Sequence, residues 1–97
     1  MQCLMNLTDE QIKLIGEMSE ALLPAEEIAI LLKLPVSDRD LFVQITKNHK
    51  ADPIYDAFHF GRLSTKLALR KTVIKLAKNG SPAAEPIAEK YIREQIS

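Results

Sequence analysis

Apolar residues recur along this chain at the three- and four-residue steps of α-helices, and prolines or short polar clusters interrupt the pattern. Thr8-Asp9-Glu10-Gln11 reads as a capping box: the Thr8 hydroxyl accepts from the Gln11 amide, and the Gln11 side chain reaches back to the Thr8 amide. Leu7 and Ile12 form a hydrophobic staple, and Ile15, Met18 and Leu22 continue the apolar face, which predicts a helix over residues 9–22. Pro24 suits the first position of a second helix, where Glu26 and Glu27 complement the helix dipole and Ile28, Leu31 and Leu32 face inward. Pro35 excludes Leu34 from that helix, so it ends near Lys33.

Ser37-Asp38-Arg39-Asp40 predicts a third helix start, with Val36 and Leu41 as its staple and Leu41, Phe42 and Ile45 directed inward. After the polar stretch 46–51, Asp52 and Pro53 are the cap and first residue of a fourth helix, which runs to Lys78 before Asn79-Gly80 stops it. Phe60, Leu63, Leu67, Ile74 and Ala77 give this helix an apolar stripe, widened by Leu69, Val73 and Leu76. At about 1.5 Å per residue it spans roughly 39 Å. Such a helix is too long for so small a domain, so part of it is expected to project and meet a partner, and Gly61 is expected to let another helix approach closely. Ser81-Pro82 caps a last helix with Ile87, Ala88, Tyr91 and Ile92 on one face, and Pro86 is expected to disturb its first turn. The resulting fold is all-α. A three-helix, helix-turn-helix-like unit over residues 1–50 precedes a long amphipathic helix and a C-terminal helix over residues 53–97, within one helical domain.

Composition agrees with this class. The 97 residues are 46% hydrophobic, enough for one modest core, and they include only 3 Gly, 5 Pro and no Trp. The single cysteine, Cys3, has no partner for a disulfide, a redox pair or a zinc motif, which points to a reducing cytoplasm. No run of about 18 apolar residues suggests a membrane span, and the start of the chain does not read as an export signal.

Net charge is zero, but its distribution is uneven. Residues 1–40 hold eight acids and three bases, a net −5, which leaves +5 for residues 41–97. No acid occurs between Asp56 and Glu85, whereas Arg62, Lys66, Arg70, Lys71, Lys75 and Lys78 all fall there. A chain polarised in this way can hold an anion with one end, or its own neighbour head to tail.

Catalytic constellations are incomplete. His49 and His59 are the only histidines and lack the further ligands that zinc requires, and Cys3 has nothing to fix it as a nucleophile. The pairs Glu26-Glu27 and Asp38/Asp40 lie at predicted helix starts, where dipole stabilisation already accounts for them. The expectation is therefore a non-enzymatic protein without cofactor or metal.

Two features point to binding. Residues 24–50 have the layout of a helix-turn-helix, in which the third helix would present Arg39, Gln44 and Lys47 to DNA, where Arg and Gln suit base edges. Asp38 and Asp40 oppose that reading by bringing negative charge to phosphates. The second feature is the row of cations: Arg62, Lys66 and Arg70 are four apart, as are Lys71 and Lys75, with Lys78 beyond. This flank suits either a phosphate backbone or the acidic first 40 residues of a neighbouring copy.

Tyr55-Asp56-Ala57, Gly61-Arg62-Leu63, Thr65, Leu67, Leu69-Arg70-Lys71 and Leu76-Ala77-Lys78-Asn79-Gly80-Ser81-Pro82-Ala83 together resemble the helical segment of bacteriophage terminase small subunits. The resemblance extends to Ile92, and to the N-terminal helices by layout. It implies a non-catalytic, homo-oligomeric protein that recognises double-stranded DNA for packaging and delivers it to a separate large ATPase–nuclease subunit. In that case the third helix and the basic flank would face DNA, while the long and last helices would mediate assembly. The other reading is a helical protein-interaction or scaffold module of phage or mobile-element origin.

Overall fold

A computed structural model of the chain describes residues 4–95 and is all-α, with five helices and no strand among the described residues. The helices are α1 (Asp9–Glu20), α2 (Ala25–Leu31), α3 (Val36–Asn48), α4 (Pro53–Lys78) and α5 (Glu85–Glu94), in the predicted order. Packing divides the chain into two compact units, residues 1–65 and 66–97, with the division inside α4.

In the first unit, both hydrogen bonds of the Thr8–Gln11 capping box form, at 2.8 and 3.1 Å. α1 ends two residues earlier than the apolar spacing predicts, because Leu22 takes a left-handed φ of 65°. Leu23 N then donates to Met18 O and Leu22 N to Ser19 O, which closes the helix with a Schellman turn. The end of α2 is built in the same way: Lys33 has φ 61°, Lys33 N donates to Ile30 O and Leu34 N to Ala29 O. Pro24 and Pro35 follow these turns as N-caps of α2 and α3, each one residue outside its helix, so Pro24 is not the first helical residue expected of it. The Ser37 side chain therefore does not cap α3, and the Val36–Leu41 staple is replaced by two exposed residues.

The core of this unit is Met5, Ile15, Ile28, Ala29, Leu32, Leu34, Phe42, Ile45, Ile54 and Phe58. Leu31 and Leu41, expected inside, are exposed, whereas Ala29 takes an interior position. The buried Asp52 carboxylate accepts from Ile54 N at 2.8 Å and Leu4 N at 2.7 Å, so it caps α4 and also ties down the segment before α1.

α1 and the first half of α4 approach closely at Gly61. A Cβ there would lie 2.9 Å from Ser19 Cβ and closer still to Gly16 O. This proximity lets Ser19 Oγ donate to Phe58 O and Thr65 Oγ1 donate to Glu20 O. Gly61 is thus the close-approach site expected of it.

In the second unit, α4 ends at Lys78, and Gly80, with φ 86°, completes a third Schellman turn through Ser81 N and Leu76 O. Residues 81–84 form a turn, α5 starts at Glu85, and Ala84 is the one buried hydrophobic residue described in this unit. The turn after Ser81-Pro82 is irregular, as expected with Pro86 four residues beyond Pro82, and regular helix begins only once Pro86 lies in its first turn, so Ala84 and not Ser81 is the N-cap of α5.

At Gly61, two effects of substitution to Ala oppose each other: helix propensity favours Ala by about 1 kcal/mol, and overpacking against backbone costs about 1–3 kcal/mol. Gly61→Ala is expected to lower the urea midpoint. An increase would contradict the close packing of α1 on α4.

Candidate nucleic-acid interface

The nine cationic and polar residues singled out by sequence fall into groups with different tasks. On α3, Arg39 is half-buried and its Nε donates to Leu34 O at 3.1 Å, so it secures the turn between α2 and α3. Gln44 and Lys47 are exposed, opposite the buried Phe42 and Ile45, and Gln44 Oε1 accepts from Asn48 Nδ2 at 2.9 Å. The start of α3 carries exposed Val36 and Asp40 with half-exposed Asp38, an acidic and apolar surface in place of a cationic one.

Arg62 belongs to the first unit and is engaged there. Its Nη2 donates to Leu23 O at 2.7 Å, and its guanidinium sits 4.5 Å from the Phe58 ring centroid. The carbonyl it satisfies lies in the turn that ends α1, so Arg62 closes that turn onto α4. Arg70, in the second unit, lies 4.1 Å from the Tyr91 centroid and pairs with Glu94 at 2.9 Å, which clamps α5 to α4. Arg39, Arg62 and Arg70 therefore act first as parts of the fold, which spacing alone did not reveal.

The lysines are different. Lys66, Lys71, Lys75 and Lys78 are exposed, and none of them forms an ion pair among the described residues. Lys71, Lys75 and Lys78, with Ile74 and Asn79, line one shallow depression at the C-terminal end of α4. The charges of Lys75 and Lys78, in the last turn of α4, also complement the negative end of the helix dipole. Residues 66–97 hold seven bases and three acids, a net +4, and residues 1–65 hold six bases and ten acids, a net −4.

The histidines take structural positions. His59 Nε2 donates to Thr46 O at 2.7 Å, with its ring 4.1 Å from that of Tyr55, and His49 is the exposed C-cap of α3. Among the described residues no cluster of three His, Cys, Asp or Glu could hold a metal ion, and no helix is long and apolar enough to cross a membrane. Cys3 lies outside the described residues.

Much of the apolar stripe read on α4 stays uncovered within the chain. Phe60 is 75% exposed and Leu63 59%, beside a groove that Ile12, Gly16 and Tyr55 also line. In the second unit, Ile74, Ala77, Ala88, Tyr91 and Ile92 line another apolar groove. The three- and four-residue periodicity identifies such residues as one stripe but does not say whether a partner covers it. No protein-family model, curated protein or solved structure matches the chain.

The division between engaged arginines and exposed lysines has a direct consequence for stability. Arg62→Ala removes a hydrogen bond from a charged donor and a cation–π contact, and is expected to cost about 1–2 kcal/mol. Lys71→Ala and Lys75→Ala are expected to stay within about 0.5 kcal/mol of the parent. Urea unfolding compares them, and equal losses at Arg62 and the lysines would contradict the assignment.

Proposed function

We propose that this chain is an oligomeric protein that binds double-stranded DNA, of the kind that terminase small subunits represent, and that it acts by binding without turnover. The observation that carries the reading is the group of exposed lysines, Lys71, Lys75 and Lys78, around one depression in a stretch free of acids from residue 57 to 84. Ammonium groups on flexible stems suit the phosphate backbone, where each neutralised phosphate releases condensed counterions. Lys66 extends the same charge, and Gln44 and Lys47 on α3 are the groups offered to base edges. The reading includes a cytoplasmic location, in keeping with a single cysteine, and takes from the resemblance a large ATPase–nuclease subunit as recipient.

A second reading has its own observation. Val36 is 73% exposed beside Asp38 and Asp40, so the start of α3 suits a protein surface better than a phosphate backbone. In that reading the chain is an interaction module and the lysines meet an acidic protein.

Mobility shifts of a short duplex over a salt series separate the two readings. Binding is expected to weaken steeply with salt, and replacing Lys71, Lys75 and Lys78 with Ala should lower the slope of log K against log salt by about 2–3. No binding by the parent protein at low salt, or an unchanged slope in the triple variant, would remove DNA from the account and leave the interaction module.

A further inference from the structure

The two units carry opposite charges, −4 and +4, and each leaves a different apolar feature open. On the first unit the feature is a ridge: Phe60 and Leu63 stand one helical turn apart on α4, exposed by 75% and 59%. On the second it is a groove between α4 and α5 lined by Ile74, Ala77, Ala88, Tyr91 and Ile92. The hairpin that forms this groove buries little of its own, since Ile74, Ile87 and Ile92 all remain exposed. An uncovered apolar ridge and an uncovered apolar groove are each unfavourable in water and fit one another in shape class.

We propose that the occupant of the groove is a second copy of this chain, which inserts the Phe60–Leu63 ridge of its acidic unit into the basic unit of its neighbour. The interface is heterologous: the ridge of one copy meets the groove of the next, and a pair of copies keeps one free groove and one free ridge between them. Charge argues for this pairing over groove against groove, because two like units would bring +4 against +4, whereas ridge and groove bring −4 against +4. The rims agree in composition: Lys13 and Asp56 border the ridge, and Lys78 and Glu89 border the groove, so each rim offers both signs. This deepens the self-association part of the proposed function and is independent of DNA.

The test is solution mass by light scattering or sedimentation, without DNA, on the full-length chain and two variants at exposed positions, Phe60→Glu and Ile92→Glu. The parent is expected to associate, and to do so more weakly as salt rises from about 0.01 to 1 M, where the Debye length falls from about 30 to about 3 Å. Each variant alone is expected to lose association by more than about tenfold, a common loss for a central interface residue. Mixed in equal amounts, the two variants should form a heterodimer and nothing larger, because one retains the groove and the other the ridge. Circular dichroism checks that both variants keep the parent's helicity and melting temperature. A monomeric parent, a Phe60→Glu variant that still associates like the parent, or a mixture that stays monomeric would each overturn the proposal. A duplex-binding assay on the same samples reports separately, so loss of association with DNA binding intact refutes this interface alone.

Discussion

The close approach of α1 and α4 at Gly61 is the constraint from which the first unit's other contacts follow. With no side chain on that residue, the two backbones come near enough for Ser19 to reach Phe58 O and Thr65 to reach Glu20 O. Arg62, the next residue, is then placed to reach Leu23 O in the turn that ends α1. Once Phe58, Gly61 and Arg62 are committed to this contact, Phe60 and Leu63 point elsewhere and remain exposed. A single tight helix pair thus decides which of these residues of α4 hold the fold and which stay exposed.

The same separation runs through the cations. Arg39, Arg62 and Arg70 each satisfy a backbone carbonyl, an aromatic face or a carboxylate, the tasks for which a planar guanidinium with several donors is suited. Lys66, Lys71, Lys75 and Lys78 do none of these and keep their charge in solvent. The proposed DNA contact therefore rests on the lysines, with Gln44 and Lys47 on α3 as the candidates for base readout.

Much of the architecture was legible in the residues. The Thr8–Gln11 box, Asp52-Pro53 and Asn79-Gly80 mark helix ends by local chemistry, and each acts where it was expected. The ends of α1 and α2 were less legible because Leu22 and Lys33 adopt the left-handed conformation usually given to glycine, at a cost of roughly 1–2 kcal/mol each. Nothing in a leucine or a lysine announces that choice, which the packing of neighbouring helices imposes. The candidate site was legible as charge but not as allocation: spacing placed Arg62 and Arg70 in one row with the lysines, while their partners Leu23, Tyr91 and Glu94 lie 21 to 39 positions away in sequence.

The central claim is that Arg39, Arg62 and Arg70 belong to the fold, which leaves the lysines at the end of α4 for the proposed contact with a polyanion. Lysine reactivity, measured by reductive methylation and mass spectrometry with and without duplex DNA, tests it most directly. The account predicts that Lys71, Lys75 and Lys78 lose reactivity when DNA is added, while Lys13 and Lys33 in the acidic unit do not. Equal reactivity at all five with and without DNA, or protection at Lys13 and Lys33 instead, would contradict it.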